Sequence, residues 1–186
     1  MKRIVLTGGH GVGKSSLLLV LEERGEHVVF EAARDVRLLA RSRGVAFPDD
    51  QPDFESRVLA RHLSREDNVP THVRRLFLDR GAPDHLAYAT VGRWPLTAAE
   101  ITACRARRYD LIVLVDGPPQ GVPTLDRVEQ RFCERLVDAL EETYTQLGMR
   151  LHRLAWADVD SRAETILKLV SDTLGDCGLH PRDRDP

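Results

Sequence analysis

Several features are scarce in this chain of 186 residues, and each scarcity excludes a class of protein. Only three cysteines are present, Cys104, Cys133 and Cys177, and they form neither a CxxC pair nor a Cys/His cluster. A disulfide framework and a zinc site are therefore not indicated, and a reducing cytoplasm is the expected location. No apolar run approaches the roughly 20 residues of a membrane-spanning helix, and the first residues do not read as a secretory signal. We expect no membrane insertion.

The chain also has few aromatic residues and a small net charge. Aromatic residues make up 5% of the chain, and the formal net charge is -2. A long nucleic-acid track needs a basic surface and stacking aromatic side chains, so nucleic acid is not an expected partner. Because the net charge gives no general attraction to anions, any anion-binding site must be formed by a few neighbouring residues. The length predicts one well-buried core, which we expect as a single domain over residues 1–174 followed by a frayed tail, 175–186.

Short apolar runs alternate with helical patterns along the chain. Runs that are apolar on both faces are typical of strands in a parallel sheet covered by helices, and the alternation predicts a doubly wound α/β fold. A Pro-rich loop over residues 117–123 follows one of these runs. The predicted strands are 3–7, 27–30, 75–79, 110–116 and 151–156, and the predicted helices are 14–24, 32–42, 54–66, 98–107, 128–147 and 162–174.

The stretch GGHGVGKSS, residues 8–16, matches the pattern GxxxxGK[ST] between a predicted strand and a predicted helix. Glycines let backbone N–H groups turn toward a phosphate, and the start of the helix adds its positive dipole end. Lys14 supplies a point charge, and the Ser15 hydroxyl can ligate Mg²⁺. His10 is expected to be a loop side chain rather than a catalyst. The predicted nucleotide-binding residues are Gly8, Gly9, His10, Gly11, Val12, Gly13, Lys14, Ser15 and Ser16.

A second stretch, FLDRGAPDHLAYA at 77–89, indicates what reacts with the nucleotide. Asp79 ends an apolar strand, where a carboxylate can hold Mg²⁺ or accept a proton from an attacking hydroxyl. Arg80 can clamp a phosphate or carboxylate through its guanidinium fork, and Asp84 is a further candidate contact to the acceptor. Asp116, at the end of the next strong strand, competes with Asp79 as the acidic metal ligand.

Two helical segments supply weaker candidates. Glu31 and Arg34 begin a helix where they could face the acceptor, although both could instead lie on a solvated face. Arg127, and less so Arg131, could act as a lid arginine that compensates charge in the transition state. The alternative for this pair is an exposed helix face with Glu/Arg pairs.

The three stretches GGHGVGKSSL, EAAR and FLDRGAPDHLAY resemble the small AAA-type P-loop ATPase domain family, which includes nicotinamide-riboside-kinase-like domains. That family is related to P-loop nucleoside and nucleotide kinases. The resemblance implies a P-loop NTPase fold with a five-stranded parallel sheet flanked by helices. It also implies phosphate and Mg²⁺ roles for Lys14 and Ser15, a reaction-centre role for Asp79 and Arg80, and an acceptor-side role for Glu31 with Arg34.

No NKxD-type guanine motif is present, and the chain is too short for the lid subdomain of an AAA motor. The leading hypothesis is an ATP-dependent kinase, with GTP possible, that transfers phosphate to a small hydroxyl or phosphate acceptor. The alternative is a nucleotide-dependent switch or ATPase that binds a protein or lipid partner; a nucleic-acid end kinase is the weakest. Loops 45–54 and 81–90 are expected to form the acceptor pocket. Oligomeric state stays open.

Overall fold

The computed structural model describes residues 1–45, 53–92, 94–119 and 127–175. Five strands and seven helices are formed in these ranges. The strands are β1 (Lys2–Thr7), β2 (His27–Val29), β3 (Arg75–Asp79), β4 (Leu111–Val115) and β5 (Leu151–Leu154). The helices are α1 (Lys14–Glu23), α2 (Ala32–Ser42), α3 (Phe54–Asp67), α4 (Asp84–Gly92), α5 (Ala98–Ala106), α6 (Arg127–Gln146) and α7 (Val159–Leu174).

The strands form one parallel sheet in the order β2-β3-β1-β4-β5, which confirms the predicted α/β fold. Side chains alternate between its two faces. Ile4 and Leu6 pack on α1 and α7, whereas Val5 packs with Leu136 and Tyr144 of α6. Both faces are buried, as the continuous apolar runs indicated. The order sets β1 between β3 and β4, so the loops that follow these three strands leave the same edge.

Residues 81–90, expected as a loop, are mostly helical, and that expectation was wrong. Helix α4 occupies Asp84–Gly92 and begins after Pro83, whose fixed φ suits the first turn of a helix. The helix has only nine residues, too few to show a clear apolar period. Its buried face is made instead by tertiary packing, with Asp84, His85 and Ala87 buried.

Helix α7 begins at Val159, three residues earlier than the sequence indicated. Asp158 caps it, because its carboxylate accepts a hydrogen bond from the backbone N–H of Ser161 at 2.9 Å. The tail beyond Gly175, most of the Pro-rich loop and most of loop 45–54 lie outside the described residues. Over the part of the chain that is described, no helix has the length and apolar character needed to cross a bilayer.

Candidate active site

The site lies where β1 and β3 end side by side. Leu6 of β1 is in register with Asp79 of β3, so the loop after β1 begins next to the carboxylate that ends β3. That loop turns back sharply at Gly8, which has a φ of 135°. A Cβ atom there would lie 2.6 Å from the carbonyl oxygen of Val115, so only glycine fits. The loop then leads directly into α1 at Lys14.

Lys14 is buried at the centre of this loop, with 6% of its surface exposed. Its ammonium donates to the carbonyl oxygens of Gly9 at 2.6 Å and Gly8 at 3.2 Å. Burial and the neighbouring Arg80 guanidinium lower the Lys14 pKa to about 7, and the Asp79 carboxylate opposes that shift. A polyanion bound close to Lys14 would raise this pKa again and so favour the charged ammonium group.

Ser15 and Asp79 form the contact between the loop and β3. The Ser15 hydroxyl donates to Oδ2 of Asp79 at 3.0 Å. Oδ1 of Asp79 is buried, and within the described residues it has no hydrogen-bond partner. Burial raises the Asp79 pKa, although Lys14 and Arg80 act in the opposite direction. A buried carboxylate with one unused oxygen can ligate a cation or accept a proton.

Arg80 adopts the left-handed backbone region, with a φ of 77°, directly after the strand. Its Nη1 donates to the Gly8 carbonyl at 3.1 Å, and its Nε donates to Glu31 at 3.3 Å. Its guanidinium also stacks over the Tyr88 ring, 4.8 Å from the ring centroid. Arg80 therefore links α2 and α4 to the start of the loop between β1 and α1, residues 8–13, which is called the phosphate loop after its predicted role. The strained backbone is maintained by these contacts and by those of Asp84.

Asp84, predicted to contact the acceptor, is fully buried and its carboxylate is used within the protein. Oδ2 accepts from the Thr7 hydroxyl at 2.6 Å, and Oδ1 accepts from the Tyr144 hydroxyl at 2.5 Å and from the Gly81 N–H at 3.4 Å. Arg80 Nη1 lies 3.8 Å from Oδ2. These contacts hold the turn between β3 and α4. Asp84 also lines the cavity beside this turn, and its contact with an acceptor stays a prediction.

A cavity of about 110 Å³ opens beside this turn, between α2, α3 and α4. A water molecule needs roughly 10–15 Å³ by the same measure, so the cavity accommodates a small organic molecule. Carboxylates, imidazoles and guanidinium groups share its wall with apolar side chains. The lining residues are His10, Glu31, Ala32, Ala33, Arg37, Phe54, Glu55, Val58, His62, Asp79, Arg80, Asp84, His85, Tyr88 and Trp94.

The structure brings Glu31 and His10 to this cavity but not Arg34. The Arg34 side chain is exposed and does not line the cavity, whereas Arg37, about one helical turn further along α2, does. His10 Nε2 is hydrogen-bonded to the Tyr88 hydroxyl at 2.8 Å. Burial, followed by Arg80 and Lys14, lowers the His10 pKa. A role for Arg34 stays a prediction.

The described contacts of the Asp116 side chain do not include the phosphate loop. Asp116 accepts from Arg153 Nη1 of β5 at 3.0 Å, and its side chain is 37% exposed. No hydrogen bond joins it to Ser15 among the described residues. Arg127 begins α6, and its side chain is outside the described part of the chain; Arg131 is exposed. The metal role of Asp116 and the lid role of Arg127 stay predictions.

The polar and aromatic lining residues that were not named as candidates from the sequence are Arg37, Glu55, His62, His85, Tyr88 and Trp94. His85 and Tyr88 lie within residues 81–90, which were expected at the acceptor pocket but as a loop. Glu55 and His62 meet His85 only because α3 packs beside α4. The Glu55 carboxylate lies 3.5 Å from His85 Nδ1, and His62 stacks edge-on against His85. Burial lowers the His85 pKa, which favours the neutral imidazole.

Comparisons with known proteins identify the family and the fold of the chain. A family model described as an AAA domain matches residues 3–162. No curated protein matches the sequence. Among solved structures, thymidylate kinase from Candida albicans is similar with a TM-score of 0.65 at 12% identity, covering 97% of this chain and 95% of that chain.

Two further solved structures have the same fold. Deoxyadenosine kinase from M. mycoides, with dCMP and dCDP bound, has a TM-score of 0.62 at 14% identity, covering 91% of this chain and 98% of that one. A NadR protein in complex with NR has a TM-score of 0.69 at 18% identity. That match covers 97% of this chain and 52% of the NadR chain, so the present chain spans about half of it.

Proposed function

The chain belongs to the AAA domain family, and from that premise we propose that it is a P-loop phosphotransferase that moves the terminal phosphate of ATP, or of GTP, to a small-molecule acceptor. One observation carries the proposal: the buried Asp79 carboxylate contacts the phosphate loop through Ser15 and also lines a partly open cavity together with Arg80. A nucleotide on the loop and an acceptor in the cavity would meet at Asp79.

The loop has the groups that a nucleoside triphosphate requires. Backbone N–H groups at the start of α1 and the Lys14 ammonium would hold the phosphates. Mg²⁺ fits beside them, because the Ser15 hydroxyl and the Asp79 carboxylate are oxygen donors 3.0 Å apart and Asp79 Oδ1 is a buried oxygen without a partner among the described residues. When bound, the ion would neutralise charge on the phosphate oxygens.

Asp79 is also the proposed base. The acceptor oxygen attacks the terminal phosphorus, the bond to the bridging oxygen breaks, and the nucleoside diphosphate leaves. The proton of the acceptor hydroxyl passes to Asp79, whose burial raises its pKa and so makes it a stronger base than an exposed carboxylate. Lys14 compensates the negative charge that moves onto the leaving diphosphate. Arg80 fixes the turn on which Asp79 lies.

The similar structures support this reading because two of them are nucleotide or nucleoside kinases and the third is a NadR protein with NR bound. Each has less than 25% identity to the chain, so the acceptor must be found by experiment. AMP-PNP affinity would be measured with and without Mg²⁺, and conversion of ATP to ADP would be followed across a panel of small hydroxyl and phosphate compounds. Acceptor-dependent ADP formation supports the proposal. Hydrolysis that no acceptor changes and that Asp79→Asn does not slow would overturn it.

A nucleotide-dependent switch is the second candidate, and one contact favours it. The backbone N–H of His10 donates to Sγ of Cys133 at 3.3 Å, so the phosphate loop touches α6 directly. A nucleotide that reorganises the loop would change this contact and the position of α6. The switch predicts a partner whose affinity differs between the ATP and ADP states, and equal affinities would exclude it.

A further inference from the structure

One backbone N–H group of the turn after β3 is held by a side chain from a distant part of the chain. Within the turn, the Gly81 N–H donates to the Asp84 carboxylate at 3.4 Å. The Ala82 N–H instead donates to the hydroxyl of Tyr109, just before β4, at 2.8 Å. Ala82 is fully buried, and a buried backbone N–H needs a partner. The turn therefore depends on Tyr109 for this acceptor.

The direction of the Tyr109 hydroxyl is set by Glu66, in the last turn of α3. The hydroxyl donates to Oε1 of Glu66 at 2.7 Å. Burial opposes the ionisation of Glu66, but hydrogen bonds from His62 and Tyr109 outweigh it and lower the Glu66 pKa. An ionised carboxylate only accepts hydrogen bonds, so the hydroxyl proton points to Glu66. The oxygen lone pairs of Tyr109 are then left for the Ala82 N–H.

The same carboxylate also contacts the wall of the cavity. Oε1 of Glu66 lies 3.2 Å from Nε2 of His62, and His62 lines the cavity. The His62 proton is assigned to Nε2, because Glu66 can only accept. Oε2 of Glu66 is buried without a hydrogen-bond partner among the described residues, and Nη1 of Arg107 lies 3.6 Å from it. One oxygen atom thus connects the cavity wall to Tyr109 and, through it, to the turn.

The turn decides where Arg80 lies. Arg80 has a left-handed backbone with a φ of 77°, a conformation that a residue with a side chain keeps only when its surroundings impose it. The next residue, Gly81, lies against Tyr109, because a Cβ there would be 3.0 Å from Cε2 of the ring. The ring therefore supports the turn from behind while its hydroxyl holds Ala82. Without that hydroxyl, the turn can relax and move Arg80 relative to the phosphate loop.

We propose that Tyr109 and Glu66 are positioning residues of the active site, which hold the turn after β3 so that Asp79 and Arg80 stay in the arrangement that phosphoryl transfer uses. Neither is among the residues that line the cavity, so both act through Ala82. The inference rests on the proposed phosphotransferase function and adds two residues behind its reacting groups. Small displacements of a catalytic group cost large factors in rate.

The test compares turnover with nucleotide affinity. ADP formation is measured with Mg²⁺, ATP and the small hydroxyl or phosphate compound that gives the fastest turnover, and kcat is expressed per AMP-PNP-binding site so that unfolded protein does not count. Tyr109→Phe should lower kcat about tenfold or more and change the AMP-PNP Kd by less than about twofold, because the phosphate loop keeps its own contacts. Val170→Ala, a buried change on α7 at the opposite face of the sheet, is the control for lost stability and should keep kcat.

Two substitutions of Glu66 separate its role as an acceptor from its charge. Glu66→Gln keeps an oxygen for Tyr109 and His62 and should retain at least about half of the kcat, whereas Glu66→Met has no such acceptor and should lose about tenfold. Amide hydrogen exchange, followed by NMR, reports on the turn itself. In Tyr109→Phe and Glu66→Met, exchange at Ala82 should accelerate about tenfold more than exchange at Val113 in the core of β4.

The outcomes separate this inference from the proposed function. An unchanged kcat in Tyr109→Phe, or an equal loss in Val170→Ala, would overturn the inference and leave the phosphotransferase proposal intact. A loss in Glu66→Gln as large as that in Glu66→Met would overturn the acceptor role of Glu66. If the wild-type protein binds AMP-PNP but no compound supports ADP formation, the phosphotransferase proposal fails, and the inference fails with it.

Discussion

The Ser15 hydroxyl donates a hydrogen bond to the Asp79 carboxylate across 3.0 Å. Ser15 is in the first turn of α1 and Asp79 ends β3, so this contact joins the phosphate loop to the neighbouring strand. The distance between Ser15 and Asp79 is set by the neighbouring strands β1 and β3, because Leu6 and Asp79 are in register. A group held by the sheet is well preorganised for catalysis. Asp79 is therefore the first residue to test.

Asp79→Asn is expected to lower kcat for phosphoryl transfer by about 10²-fold or more, because it removes the proposed base and a proposed ligand of Mg²⁺. It should also abolish the Mg²⁺ dependence of AMP-PNP affinity. Asp116→Asn is the matched control, since Asp116 is bonded to Arg153 and not to Ser15 in the described residues. Titration calorimetry with and without Mg²⁺ measures the affinities. A larger loss in the Asp116 variant would reverse the assignment.

Nucleotide affinity is expected to fall as pH rises above about 7. The Lys14 pKa in the ligand-free protein is about 7, and a bound polyphosphate raises it because the anion favours the ammonium form. Above that pKa each binding event must take up a proton, so Kd rises by up to about tenfold per pH unit. AMP-PNP titrations from about pH 7.5 to 9.5 cover a range in which phosphate oxygens are already ionised. Lys14→Arg stays charged and should give a nearly flat profile, and a flat wild-type profile would contradict the pKa argument.

Lys14→Met is expected to stabilise the ligand-free fold while abolishing nucleotide binding. The pKa of a lysine in the unfolded chain is about 10.4. The Lys14 pKa in the folded protein is about 7, so folding disfavours the charged form of this lysine. The gain at pH 7 should be on the order of 1–3 kcal/mol. Between these pKa values the unfolded chain binds more protons, so wild-type stability rises with pH and the gap to the variant narrows. Urea unfolding at several pH values measures this; a less stable variant at pH 7 would refute it.

The parts of the site that could be predicted from sequence are those encoded locally. The strands follow from short apolar runs, and the phosphate loop follows from a fixed spacing. Whether Arg34 or Arg37 faces the cavity depends on the rotation of α2 about its axis, which tertiary packing decides. Glu55 and His85 meet only because α3 packs beside α4, and α4 is too short to show a period. This wall of the cavity therefore could not be predicted from the sequence.

Asp84→Asn is expected to destabilise the fold by about 2–4 kcal/mol, because the buried carboxylate accepts from Thr7, Tyr144 and Gly81 and balances Arg80. An amide cannot accept at both positions, since its nitrogen is a donor. Tyr144→Phe removes one of these bonds and should cost only about 1–2 kcal/mol. Denaturant midpoints of the two variants compare them. Equal costs would mean that the network around Asp84 contributes no more than one hydrogen bond.

Gly13→Ala tests how tightly the phosphate loop is packed, and Gly25→Ala is its matched control. Both glycines have nearly the same φ, 89° and 90°, so alanine adds similar backbone strain of roughly 1–2 kcal/mol at either position. A Cβ at Gly25 meets nothing within 4 Å, whereas a Cβ at Gly13 would lie 2.9 Å from Nη2 of Arg162. Arg162 Nη1 donates to the Val12 carbonyl at 2.9 Å, and its guanidinium lies over the Trp156 ring, so it cannot move without releasing the loop.

The Gly13 variant should therefore lose more stability than the Gly25 variant, and it alone should lose affinity for AMP-PNP, by about tenfold or more. Adding Arg162→Met to Gly13→Ala separates the two causes. If the clash with the guanidinium is responsible, the double variant recovers stability relative to Gly13→Ala but not affinity, because the Val12 carbonyl has lost its donor. Thermal unfolding and AMP-PNP titration measure the two quantities. Equal losses of stability and affinity in the Gly13 and Gly25 variants would mean that Arg162 does not constrain the loop.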